Sequence, residues 1–392
     1  MSQKMAGFKP EPLDISDVRR WVGRPLAGAQ LKEPIARNDI RRWVQGMQNP
    51  NRLYYDEQFA GQSALGELVA PQSFLVCCTV GLAAVPGMQG NVPGVHMLLG
   101  GDEYWFYGPR VKPGDRICTD TMLFDYRLTE TRFGGPTLLS RGDTSFFNQR
   151  GEALGKLRST SIRYNPENAR LRDTLGGHSG EPQWTAEDLT RLEEEKFAYY
   201  RSIERHVVRG FDSVRVGEEL PIRPIGPHSI QTFSTEWRSF IFTVWGAQSE
   251  PEIACATRDP AQIFHDLEKA RIDPSYADGL YAGPSRAHVV ESDARQLAVP
   301  RGYGYGAVMG AWVLDYLANW AGELGMVVHS NVRYTSFPLT GDVTYMAARV
   351  TGMVPQPERR WGLVTVEIEM KNQDRILIGK GPAEIRLTQV EK

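Results

Sequence analysis

One histidine in this 392-residue chain stands where it could move a proton. His288 follows Gly283-Pro284 and precedes the run Arg301-Gly302-Tyr303-Gly304-Tyr305-Gly306, which leads into a strongly apolar segment. An imidazole beside the start of a helix suits general acid–base chemistry on a group that develops negative charge. The helix start supplies the complement, because its first N–H groups lack intrahelical partners and lie at the positive end of the dipole. Three glycines in five positions permit a left-handed φ and close backbone approach. Gly304 and Gly306 are therefore the candidate N–H donors to an oxyanion. Tyr303 and Tyr305 could donate a hydroxyl hydrogen bond or only pack against a bound group. Blander readings stand beside these. A lone histidine is commonly a capped core or surface residue, and a Gly-Tyr repeat can be a tight turn. The glycines superficially match a nucleotide-binding pattern, but no parallel-strand unit surrounds them.

The remaining histidines, His96, His178, His206, His228, His265 and His329, lack such placement and read as structural. Cys77 and Cys78 sit in an apolar run, and Cys118 and Cys255 are isolated. Neither a disulfide framework nor a zinc site follows from that spacing, and no metal or redox cofactor is implied. The net charge of −2 gives no basic footprint for nucleic acid. No apolar run approaches the roughly 20 residues of a membrane span. Residues 1–10 lack the apolar core of a signal peptide, so a reducing cytoplasm is the expected compartment.

The elements that must position His288 appear twice. Tyr107 lies eight residues before Asp115 of a Gly-Asp turn, and Tyr334 lies eight before Asp342 of another. Asn148-Gln149 then precedes Gly155-Lys156 at the spacing by which Asn372-Gln373 precedes Gly379-Lys380. Agreement at four points argues for an internal repeat. Between the anchors, 116–128, 138–148 and 156–164 read as strands, as do 343–353, 361–371 and 379–387, each set an antiparallel meander. Each meander follows a segment apolar on most faces, 71–85 in the first half and 306–322 in the second. Such a segment is a buried helix. One buried helix wrapped by one curved antiparallel sheet, made twice, lets the two sheets join edge to edge and hides edge strands. Between the copies, 166–205 reads as a linker with a polar outer helix from Thr185, its N-cap, to about Ile203.

This arrangement resembles the MaoC-like double-hotdog hydratases and dehydratases, with a FAS1-like dehydratase domain as the first hotdog. The resemblance runs from about residue 35 to 390. Its text in the first half is Gln48-Asn49-Pro50, Tyr54-Tyr55-Asp56-Glu57, Val69-Ala70-Pro71-Gln72-Ser73-Phe74-Leu75 and the strand Gly100 to Tyr107. In the second half His288, Glu291, Asp293 and Ala294 resemble the active-site loop. The family pattern Gly-Asp-x-Asn-Pro-x-His implies an Asp and a His that activate water against a CoA thioester. Here Met47 takes the place of that Asp in the first half, and Arg52 or Tyr54 the place of the His. The first half is therefore expected to be scaffold. In the second half Ala247 replaces the Asp, and an insertion at 249–280 follows. The acid partner of His288 is open among Asp278, Glu291 and Asp293.

The resemblance implies an α+β fold of two fused hotdog domains, 30–165 and a catalytic 206–390, joined by 166–205. It implies syn hydration or dehydration of an acyl-CoA, a lyase reaction, by a homodimer. Arg333, Arg359, Arg360 and Lys371 are the second-half candidates for the CoA phosphates. Two other functions stay open on the same fold. One is an acyl-CoA thioesterase, with Asp315 within the second helix as its carboxylate. The other is a non-catalytic acyl-thioester-binding subunit.

Overall fold

The computed structural model describes residues 12–31, 33–78, 86–175, 180–204, 209–244 and 286–389. Ten strands make one sheet. They are β1 Pro25–Gln30, β2 His96–Phe106, β3 Cys118–Thr131, β4 Gly135–Phe147, β5 Ala153–Tyr164, β6 Arg223–Ile225, β7 Gly325–Tyr334, β8 Thr344–Gln356, β9 Trp361–Asn372 and β10 Leu377–Thr388. Their order is β1-β3-β4-β5-β2-β7-β10-β9-β8-β6. The first five come from one half of the chain and the last five from the other. The two sets meet where β2 pairs antiparallel with β7, from Gly101 opposite Arg333 to Trp105 opposite His329. The helices that bear on the site are α1 Arg37–Gly46, α2 Pro166–Arg172, α3 Ala186–Glu204, α4 Ile230–Val244, α5 Glu291–Gln296 and α6 Gly306–Ala321.

The anchors of the sequence repeat do the same work in both halves. The Arg116 N–H donates to Gln149 Oε1 at 2.8 Å, and the Val343 N–H donates to Gln373 Oε1 at 2.9 Å. Asn148 Oδ1 accepts from the N–H groups of Arg150 and Glu152, and Asn372 Oδ1 from those of Asp374 and Ile376. Each Asn-Gln pair thus closes one hairpin and ties it to the strand after the Gly-Asp turn. These backbone donors would otherwise be unpaired where the ladder ends.

The second buried helix is α6, and every residue from Ala307 to Ala321 is buried. The first is only partly described. Gln72–Val76 forms 3-10 turns and is buried, and residues 79–85 lie outside the described part. Gln72 reaches across to the other half, donating to the Val327 carbonyl at 2.8 Å and accepting the Val327 N–H at 3.0 Å. The linker helix α3 begins at the expected cap, where Thr185 Oγ1 accepts the Asp188 N–H at 3.1 Å. Its inner face is not solvated, because Leu192, Tyr199 and Ile203 are buried, and Tyr199 stacks on Tyr316 of α6 at 6.3 Å.

Helix α6 lies close on β2. A Cβ on Gly310 would stand 2.8 Å from Asp102 Oδ2 and 3.3 Å from the Tyr104 ring. Gly310→Ala is therefore expected to lose stability in denaturant unfolding. Overpacking costs about 1–3 kcal/mol, against the roughly 1 kcal/mol that alanine gains in helix propensity. An alanine variant as stable as wild type would contradict this account of the contact.

Candidate active site

His288 ends a one-turn 3-10 helix, Arg286–His288, just before α5. Its Nδ1 lies 2.8 Å from the Tyr303 carbonyl oxygen. A carbonyl only accepts, so Nδ1 carries the proton and Nε2 is a free base. The Tyr303 ring sits 4.3 Å from the imidazole and the Tyr305 ring 5.9 Å from it, edge on. Burial pushes the imidazole down to about 4, with His96 nearby adding to the shift and the Tyr303 carbonyl opposing it. His288 is therefore neutral at neutral pH, the form a general base requires.

The glycine-tyrosine run is an extended segment rather than a free turn. Thr340 donates to the Gly302 carbonyl at 2.9 Å, and Tyr303 bridges Leu339. Gly302 is needed here, since a Cβ on it would stand 2.8 Å from the His288 carbonyl oxygen. Arg301 fixes the start of the run, donating to Asp342 at 3.1 Å and to the Gly180 carbonyl at 2.6 Å.

Several sequence expectations change on this geometry. The Gly304 N–H donates to the Pro338 carbonyl at 2.8 Å, so it is not available to an oxyanion. Gly306 opens α6 after Tyr305, whose side chain makes no cap. The Val308 N–H donates to the Tyr305 carbonyl at 3.0 Å, so the candidate donors at that turn are the N–H groups of Gly306 and Ala307. Asp293 is ion-paired with Arg286 at 2.9 Å, which draws its carboxylate to the guanidinium. Glu291 is paired with Arg295 on the same short helix. Arg333 is exposed on β7 between buried Val332 and Tyr334, so its side chain lies on the face of the sheet away from α6. Lys371 pairs with Glu369, and Arg359 lies over Trp361. Asp278, like Ala247 and the insertion at 249–280, lies outside the described residues.

Asp315 faces the other half. Its Oδ1 accepts the Ser73 hydroxyl at 2.5 Å, and Ser73 Oγ accepts Trp43 Nε1–H at 2.9 Å. Burial raises Asp315 to about 6, opposed by Arg223, Ser73 and Asn49. The first half's Asn-Pro turn joins this network. Asn51 donates to Asn319 Oδ1 at 3.0 Å, and Asn319 donates to Asn49 Oδ1 at 3.3 Å. The place of the missing first-half motif is thus a seam that docks onto α6.

His228 is structural. It is buried, its Nε2 lies 2.8 Å from Thr344 Oγ1, and its ring stacks on Trp312 at 5.4 Å. Glu236 on α4 is buried, and burial raises its carboxyl to about 8. Its folded value lies above its unfolded one, so the stability it contributes is full below about 4.5 and is lost as pH rises through about 8. Glu236→Gln is expected to match wild type near pH 4 and to exceed it in stability at pH 9. An equal fall in both proteins between those pH values would rule out this source.

Sequence reasoning missed Asp102. It lies on the inward face of β2, 3% exposed, with Tyr104 and Phe106 following at the alternate buried positions. An acid at the inward phase of an otherwise apolar strand was the available signal.

Comparison with known proteins agrees with this architecture. Residues 20–156 match the family model for the FAS1-like dehydratase domain region. A solved structure described as a MaoC-like dehydratase is 14% identical, with a TM-score of 0.58 over 95% of this chain and 100% of that one. A putative MaoC domain protein dehydratase from Chloroflexus aurantiacus is 12% identical, with a TM-score of 0.54 over 94% and 96%. A conserved hypothetical protein from Mycobacterium tuberculosis, described as having a double hotdog fold, is 13% identical, with a TM-score of 0.51 over 93% and 96%. No curated protein matches the sequence. Residues 20–156 thus match the FAS1-like dehydratase domain region, and the chain as a whole has a double-hotdog fold. Among the described residues no helix is long and apolar enough to cross a membrane.

Proposed function

We propose that this protein adds water to an enoyl thioester, or removes it from the 3-hydroxyacyl thioester, with coenzyme A as the carrier. The observation that carries the reading is the held imidazole. Nδ1 of His288 is tied to the Tyr303 carbonyl, which leaves Nε2 basic beside the uncapped start of α6. Hydration needs a base for water and donors for the thioester oxygen as charge moves onto it. His288 takes a proton from water while the water oxygen bonds to the β-carbon. The Gly306 end of α6 holds the oxygen of the enolate. A proton then reaches the α-carbon, and the reverse sequence expels water.

The test is absorbance at the enoyl-thioester band across a panel of enoyl-CoAs, with free thiol followed in parallel. The band is expected to fall with no thiol released. Thiol release would instead make the protein a thioesterase, and silence in both channels would leave it an acyl-thioester-binding subunit.

A further inference from the structure

We infer that Asp102 is the acid of the His288 site and holds the proton that reaches the α-carbon. The inference rests on the hydratase reading above. Residue 102 comes from the first hotdog, not from the loop that carries His288. It lies at the junction where β2 meets β7. Asp102 Oδ2 accepts the Tyr334 hydroxyl at 3.1 Å. Asp102 Oδ1 is buried and has no hydrogen-bond partner among the described residues. A buried carboxyl oxygen left without a partner costs free energy, so its retention asks for a use.

The surroundings favour the protonated form of this carboxyl. Tyr104 faces it from β2, Tyr334 from β7, Tyr305 from the start of α6 and Gly310 from the next turn. These neighbours are phenols and a glycine, and no cation is among the groups that act on it. Burial raises Asp102 to about 7, with the Tyr334 hydroxyl opposing the shift. On the outer face of the same strand, Glu103 instead meets His329 at 3.0 Å.

Position joins the two groups. Asp102 Oδ2 stands 2.8 Å from where a Gly310 Cβ would be, one helical turn from Gly306. The N-cap Tyr305 is near both groups. Its ring is 5.9 Å from the His288 ring, and its phenol feels the charge of Asp102. Asp102 and His288 thus flank the first turns of α6, one from β2 and one from the loop before α5. Their environments push them apart, the imidazole to its basic form and the carboxyl to its acid form, as a base and an acid in one site require.

The step balances. The water oxygen bonds to the β-carbon while its proton passes to His288 Nε2. The π electrons move toward the thioester, and the Asp102 O–H proton bonds to the α-carbon. This leaves an imidazolium and a carboxylate, and one proton passing from the first to the second restores the site.

The test compares Asp102→Asn with Tyr334→Phe in the enoyl-CoA hydration assay. Asn keeps the shape and can still accept from Tyr334, so D102N should melt no lower than wild type. Its kcat should fall at least about 100-fold. Wild-type kcat should fall as pH rises through about 7, where the acid loses its proton, and the residual D102N rate should lack that limb. Y334F loses the same hydrogen bond but keeps the carboxyl, and should fall less than about fivefold. D102N within threefold of wild type, or D102N and Y334F falling together, would overturn the assignment while hydration by wild type still stands. A wild type that hydrates no thioester overturns the hydratase reading and this assignment together.

Discussion

Replacing His288 with alanine is expected to lower hydration of an enoyl thioester by about 100-fold or more, the usual contribution of a positioned general acid–base group. The fall should appear in kcat with little change in KM, because the imidazole acts on water rather than on the bulk of the acyl group. Stability should not explain it. His288 is neutral at pH 7 and only partly exposed, and its Nδ1 makes one hydrogen bond, to a carbonyl. Its folded value lies below its unfolded one, so it costs stability only as pH falls below about 6.5 toward 4. His288→Ala should therefore be relatively more stable than wild type near pH 4. A variant with wild-type kcat would remove His288 from the chemistry.

The second large effect is on the fold. Arg223 on β6 is 3% exposed and donates to the Trp312 carbonyl and the Met47 carbonyl, each at 3.2 Å. It thereby joins α6 to the residue after α1, and its charge faces Asp315. Arg223→Ala leaves two buried carbonyls without their donor and takes a positive charge away from the buried Asp315 carboxyl. Losing a buried hydrogen bond from a charged donor costs about 1.5–3 kcal/mol, and two are lost here, measurable by denaturant unfolding at pH 7. Asp315 is then held still further toward its neutral form. A carboxyl with a raised folded value loses stability as pH rises, so the deficit should be larger at pH 8 than at pH 5. A loss under about 1 kcal/mol, typical of a surface pair, would show that the seam does not depend on this charge.

The repeat was legible because its anchors are local. Gly-Asp and Asn-Gln close hairpins through their own side chains, so identical spacing produces identical hydrogen bonds at Gln149 and Gln373. The buried helix α6 was legible from its apolar composition alone. Side-chain direction was less so. Arg333 was a reasonable cation to consider, but the alternation that buries Val332 and Tyr334 turns it outward. Gly304 was misjudged for a different reason, since its N–H is taken by Pro338, more than thirty residues away in sequence. Asp102 was hidden by chain distance. A search for an acid partner near residue 288 does not reach the proposed one, nearly two hundred residues earlier in the other hotdog. The first buried helix was expected over 71–85, yet its described part is 3-10.

The most direct measurement of the central claim is hydration in D₂O, with the product of an enoyl-CoA read by NMR. Wild type should place a hydroxyl on the β-carbon and one deuteron on the α-carbon, and His288→Ala should yield neither above the uncatalysed level. Free thiol without the hydroxyl adduct, or the same adduct from both proteins at equal rates, would contradict it.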